Sequence, residues 1–238
     1  MHYIYSRKVT YFIFTLLFIA SISNQSFSQV RAKGNENYMD FQNKSFYFGM
    51  AFGVSSSKFR VNQSELIYNE ANGVRLVEGV AKGGFNIHMV SNLKMGEFFD
   101  FRFNPGFAFM YRDLLFNDNT IKKIESVYFE APFGVRFKSM PYNDKRAFVI
   151  AGLKYGYDVS SNANSRRGEN LIRITPHDFQ WEVGVGMQFY YPFFIFSPEI
   201  KIGRGLNNAL IYNRTLPESK AIDQISTQVF TLTFNFEG

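Results

Sequence analysis

The sequence has no cysteine. That absence excludes a lipid-anchored lipoprotein, a disulfide framework and a cysteine-based metal site. Long apolar runs are nearly absent too. After residue 23 no segment approaches the roughly 18 uncharged apolar residues that mark a membrane-crossing helix. Charge of one sign is in short supply: 26 Lys and Arg against 20 Asp and Glu leave a formal +6. Arg7 and Lys8 lie in an N-terminal stretch without acids, so the rest keeps 6 − 2 = +4, mild and spread out. No basic cluster remains for a nucleic-acid partner. The spacings HExxH, GxSxG and the phosphate-binding loop are missing as well.

Aromatic residues are abundant. The chain of 238 residues holds 29 Phe and 14 Tyr, yet its mean hydropathy is only −0.16. Bulky apolar residues must therefore be interleaved with polar ones. Strands with two unlike faces do this; membrane-spanning helices do not. The length fits one domain.

The N-terminus reads as an export signal. Arg7 and Lys8 precede the apolar stretch "VTYFIFTLLFIASIS", and Ser26 and Ser28 are the small residues before a cut at Gln29. The expected organisation is a signal peptide over 1–28, a polar periplasmic lead over 29–45 and one barrel domain over 46–238.

Strict alternation follows in eight segments: 46–54, 83–93, 98–112, 125–138, 147–159, 178–191, 194–204 and 226–236. In "FFDFRFNPGFAFMYR" the residues Phe99, Phe101, Phe103, Phe107, Phe109 and Tyr111 share one face. Asp100, Arg102, Asn104, Gly106 and Arg112 share the other. A soluble lipocalin-like barrel or a β-sandwich also alternates, so the period alone leaves them open. The connections discriminate better. Short links, "KMGE", "SMPYNDKR" and a turn at Pro192, alternate with long ones near 56–81, 113–123, 160–177 and 205–224. Outer-membrane barrels show this pattern, with short periplasmic turns. The short-link ends carry Phe98, Phe99, Phe137, Phe148, Tyr190, Tyr191, Phe193, Phe234 and Phe236, read as an aromatic girdle. An open sheet edge cannot sit in hydrocarbon, so the sheet must close. The expected fold is all-β: a transmembrane antiparallel up-and-down β-barrel of about eight strands. Pro105, Pro132 and Pro198 fall inside strands and predict bulges.

Residue chemistry offers little for catalysis. His88 faces the lumen and could meet Asp100 and a serine; the plainer reading is a histidine satisfied by its neighbours. His177 is placed in a loop beside Pro176. Glu130 and Glu182 suggest paired carboxylates, but nothing fixes their separation. The inward charges Asp100, Arg102, Glu130, Arg136, Lys154, Asp158, Glu182, Glu199 and Lys201 mix signs in a narrow interior. Ion pairing that plugs the lumen is the expectation. Lys58, Arg60, Lys122, Lys123, Arg166, Arg167 and Arg173 are assigned to the outer loops, for lipopolysaccharide phosphates or plain solvation. No catalytic, cofactor or metal site is expected.

Four stretches carry a resemblance. "NYMDFQNKSFYFGMAFG", "ESVYFEAPFGVRFKS", "RAFVIAGLKYGYDVSS" and "DFQWEVGVGMQFYYPFFIFSPEIKIGRGLNN" resemble the PorT family, called SprT in gliding bacteria. That family is an outer-membrane β-barrel component of the type IX secretion system of Bacteroidetes. The resemblance runs from about residue 36 to the end. It departs at the C-terminus, "FNFEG", where Phe236 stands two residues short of the usual terminal aromatic. It implies a non-enzymatic accessory of protein secretion and gliding motility in the Gram-negative outer membrane. Its partners would be other outer-membrane and periplasmic secretion components, outer-membrane lipid and lipopolysaccharide. The alternative is a generic small barrel acting as a narrow channel or envelope-lipid binder.

Overall fold

The structure is a computed structural model that describes residues 34–63, 77–116, 121–160, 173–212 and 222–238. The expected signal peptide and the start of the lead lie outside the described residues.

A short helix α1 (Glu36–Gln42) precedes the strands β1 (Phe46–Gln63), β2 (Val77–Lys94), β3 (Phe99–Phe103), β4 (Gly106–Phe116), β5 (Ile121–Lys138) and β6 (Lys145–Asp158). They are followed by β7 (Arg173–Ile174), β8 (His177–Tyr190), β9 (Ile195–Gly205), β10 (Leu210–Ile211) and β11 (Ile222–Glu237). β7 and β10 form a separate two-stranded ribbon. β3 and β4 are one wall strand interrupted at Asn104 and Pro105, both pairing with β2 and β5. Each wall strand is antiparallel to the next along the chain, and β11 returns to β1.

The partners trace a closed ring. Starting at Phe48, they run through Ser91, Phe103, Phe133, Leu153, Trp181, Arg204 and Gln228 back to Lys58. The offset, 58 − 48 = 10 residues, is the stagger that closes a tilted sheet into a barrel. The eight-stranded antiparallel barrel read from the sequence is the fold observed.

The faces decide between a soluble and a membrane barrel. Phe46, Phe48, Phe52, Phe99, Phe107, Phe133 and Val185 point outward and stay open to the surroundings. Arg102, Arg136, Glu199 and Lys154 point inward and are buried. A soluble barrel puts its apolar face inside. This one is reversed, and its apolar outer band far exceeds the patch a soluble monomer shows.

That polarity inverts along the long-link ends. On β1 the outward residues become Ser56, Lys58 and Arg60, while Phe59 turns in and is buried. Leu114 and Phe116 of β4 and Ile225 of β11 are buried likewise. β1, β2 and β5 have 18 residues each, beyond the roughly 9–11 that cross a bilayer. The strands therefore run on past the membrane, and the long links are shorter than the sequence pattern suggests. Alternation of apolar residues on one face stops at Val54 although the strand does not. Lys58 and Arg60 accordingly lie on this extension of β1 rather than in a loop.

None of the three strand prolines makes a bulge. The partner sum stays constant on both sides of each: β3 and β4 keep one register with β5, β5 keeps one with β6, and β9 keeps one with β8 and β11. The sheet loses hydrogen bonds there instead. Asn104 donates its N–H to the Pro132 carbonyl at 3.2 Å, and Pro132 has no N–H to return. Met89 donates to the Pro105 carbonyl at 2.8 Å, with the same missing return. The break between β3 and β4 thus falls where two prolines face adjacent ladders. The register shifts lie elsewhere, between Ala81 and Phe85 of β2 and between Asn62 and Gln63 of β1.

Candidate functional site

The lumen is filled in layers. At the short-turn end, α1 folds back over the opening. Tyr38 and Phe41 pack with Tyr47, Tyr190 and Ile195. The turn that receives the helix is Tyr142–Lys145, where Asn143 (φ 48°) and Asp144 (φ 56°) both take the left-handed conformation of a tight hairpin. The Asp144 carboxylate accepts the Tyr38 backbone N–H at 2.9 Å and the Asn37 side chain at 3.3 Å. Asp144 N–H donates to the Asn35 side chain at 2.9 Å. The helix has no side-chain cap of its own, so a distant hairpin satisfies one of its first N–H groups. Below the helix, Arg146 donates to the Tyr38 hydroxyl at 3.2 Å and to the carbonyls of Ser139 and Glu97. Burial holds the Tyr38 phenol above its ordinary value; Arg146 opposes the shift, and Glu97 and Asp100 add to it.

The middle layer is a chain of ion pairs with alternating sign. Arg102 meets Glu237 at 2.7 Å and Glu199 at 3.6 Å. Arg136 meets the same two carboxylates at 3.4 and 3.6 Å, and its guanidinium lies 4.0 Å from the Phe148 ring centroid. Gly186 makes room for that ring, since a Cβ there would stand 2.4 Å from Phe148 Cζ. Glu199 continues to Lys201 at 3.1 Å, Lys201 to Glu182 at 3.9 Å, and Glu182 to Lys154 at 3.0 Å. Lys154 reaches Glu130 at 2.9 Å, and Glu130 meets His88 at 3.2 Å. Asp100 pairs separately with Lys138 and accepts from the Tyr47 hydroxyl at 3.3 Å. A cavity of about 20 Å³ borders Arg102, Asn104, Glu182 and Lys201, room for about one water.

Above the ion pairs, Arg112 lies 4.8 Å from the Phe59 ring and 5.1 Å from that of Tyr128. Ala108, Met110 and Val229 pack beside Tyr128. The outermost layer is apolar: Phe59, Val77, Leu114, Phe116, Ala209, Ile222 and Ile225, with Ile174 and Leu210 of the β7–β10 ribbon against them. Side chains thus cross the lumen at each of these levels.

The inward set read from the sequence is inward here, and one chain of ion pairs joins its members except Asp100, which pairs with Lys138, and Asp158. Asp158 is buried but turns to Ser160 at 2.8 Å. The suggested acid pair is bridged: Lys154 sits between Glu130 and Glu182 and pairs with both. His88 meets Glu130 rather than Asp100, which Lys138 occupies. His177 begins β8 instead of a loop, and its ring lies 2.8 Å from the Tyr155 hydroxyl. Phe148 and Tyr190 leave the girdle: both are buried inside, at 4% and 6% exposure. Lys122 and Lys123 sit at the start of β5, and Arg173 begins β7, while Arg166 and Arg167 lie outside the described residues. The sequence reading missed Glu237 and Arg146 because it ended the last strand at 236 and began the fifth at 147. Parity alone would have placed both inward.

The model of the outer membrane protein beta-barrel domain matches residues 25–210. The chain belongs to this family. Its membership places the barrel in the outer membrane, as the outward apolar band requires. No curated protein matches the sequence. Among solved structures, the barrel domain is similar to the outer membrane protein OprG from Pseudomonas aeruginosa, at 8% identity and a TM-score of 0.50, over 81% of this chain and 95% of that one. It is also similar to Neisserial surface protein A, at 7% identity and a TM-score of 0.44, over 81% and 96% of the two chains. Likeness at such identity shows the fold alone.

Proposed function

We propose that this barrel is a non-enzymatic outer-membrane component of the type IX protein secretion machinery of Bacteroidetes, serving gliding motility where the organism glides. It acts through protein contacts. The observation that carries this reading is the crossed lumen: ion-paired side chains in its middle and a buried apolar layer above them favour action through the barrel's surfaces. "GLKYGYD" and "FSPEIKIGRGLNN" support the assignment to the secretion member rather than to a generic barrel. His88 is hydrogen-bonded to Glu130, and Glu130 and Glu182 are ion-paired with Lys154, which favours a structural role for each. The partners are other outer-membrane and periplasmic secretion components, with outer-membrane lipid and lipopolysaccharide around the wall.

Clean deletion of the gene, with mass spectrometry of secreted and cell-retained proteins, tests the proposal. Proteins with C-terminal sorting domains should accumulate inside and return to the medium on complementation. An unchanged secreted set overturns it.

A further inference from the structure

The outer wall is not evenly convex. A hollow of about 620 Å³ interrupts it over β6, β8 and β9. Ala147 and Val149 of β6, Val185 of β8 and Pro198 of β9 line it, and the rings of Phe137 and Phe189 flank it. These are outward residues of the apolar band. Pairing between β8 and β9 lapses at the same place, between Gly186–Glu199 and Phe189–Phe196, where Pro198 has no N–H to give.

The hollow lies at the short-turn end, and it has a cation at its edge. Lys145 precedes Ala147 by two positions on the same face, about 7 Å along the strand. Its ammonium stands 5.9 Å from the centroid of the Phe189 ring and pairs with no carboxylate among the described residues. Asp144, beside it in sequence, is engaged with α1. Short turns face the periplasm in barrels of this kind, so the cation sits at the headgroup depth of the periplasmic leaflet.

An apolar hollow in hydrocarbon with one unneutralised cation at the water's edge matches one kind of occupant. We propose that the hollow retains a single phospholipid of the periplasmic leaflet, one acyl chain in the hollow and the phosphate at Lys145. With the neighbouring Asp144 carboxylate already engaged by α1 and not offered to an amine, a net-anionic headgroup is favoured over a zwitterionic one. This proposal does not depend on the secretion role.

Native mass spectrometry of the processed full-length protein in detergent tests it. The probe is an equimolar mixture of phosphatidylglycerol and phosphatidylcholine with identical chains. The wild type should keep one phosphatidylglycerol. Lys145→Gln should bring the two lipids to nearly equal retention. Ala147→Trp fills the hollow and should cut retention of both by about ten-fold. Ala151→Trp, on the same outward face but outside the hollow, should bind like the wild type. If Ala147→Trp fails to assemble, Val185→Phe fills the hollow from the other side and decides the matter. Wild-type retention in an assembled filled variant overturns the proposal. So does a photo-crosslinker at position 147 in cells that captures protein instead of lipid.

Discussion

Asp144 Oδ1 accepts the backbone N–H of Tyr38 at 2.9 Å, across 106 residues of sequence. The contact ties a helix that precedes the barrel to the hairpin between β5 and β6, its fourth and fifth walls. Removing the carboxylate should undock the helix while leaving the ring intact. For Asp144→Ala the expected loss is about 0.5–2 kcal/mol of docking, the usual cost of a lost helix cap. Hydrogen exchange at residues 36–42 should rise sharply, with the exchange of the barrel core unchanged.

The same docking should weaken at high pH. The Tyr38 phenol ionises near 10 when undocked, and burial raises that value when docked. Below 10 both forms are neutral and docking is fully present. Above it the undocked form loses its proton first, so rising pH draws the helix away. Protease access to residues 34–45 should increase through this range, and Tyr38→Phe should flatten the response.

Glu237 lies within ion-pair distance of two guanidinium groups in the lumen. Glu237→Ala leaves Arg102 and Arg136 sharing Glu199, and should destabilise the assembled barrel by about 3–5 kcal/mol, as for other broken buried pairs. Urea unfolding in lipid bilayers measures this. Combining it with Arg102→Met should recover part of the loss, because the uncompensated charge goes with it.

The layered lumen predicts silence in a planar bilayer. The wild type should give no steady open state. Deleting residues 34–45 should not change this, because the ion-pair layer and the outer apolar layer both remain. Discrete openings in that deletion would mean that α1 alone is the barrier.

Leu114 is fully buried in the outer layer, beyond the membrane. Leu114→Ala should cost about 2–5 kcal/mol through lost burial and a cavity. Thermal unfolding reports the change. Exchange should speed first at residues 110–116 and 222–227, before the walls within the bilayer.

Much of the fold was legible because a barrel writes its two faces into every strand. Eight alternating segments, and the parity that put Arg102 and Glu199 inside, survive in the structure. The misreadings share a cause: alternation reports polarity, not pairing. At Ser56 the outward residues turn polar, so the apolar alternation stops although the ladder continues. Proline at 132 or 198 signals a lost donor, and nothing in the sequence says whether the sheet bulges or tolerates it. Phe148 was assigned to the girdle for being aromatic, although its place beside Val149 puts it inside. Which carboxylate meets which cation depends on the ten-residue stagger, and no local pattern encodes that offset.

The place of Glu237 bears on how the barrel comes together. It lies on the strand that completes the ring, one residue from the end of the sequence. Until β11 meets β1, Arg102 and Arg136 lack the carboxylate that sits closest to them. Sealing the wall and balancing the interior charge are therefore one event. A partly zipped sheet carries both an open edge and uncompensated cations, so intermediates are penalised twice. The barrel should assemble and come apart as a single cooperative unit, with its last strand acting as the fastener.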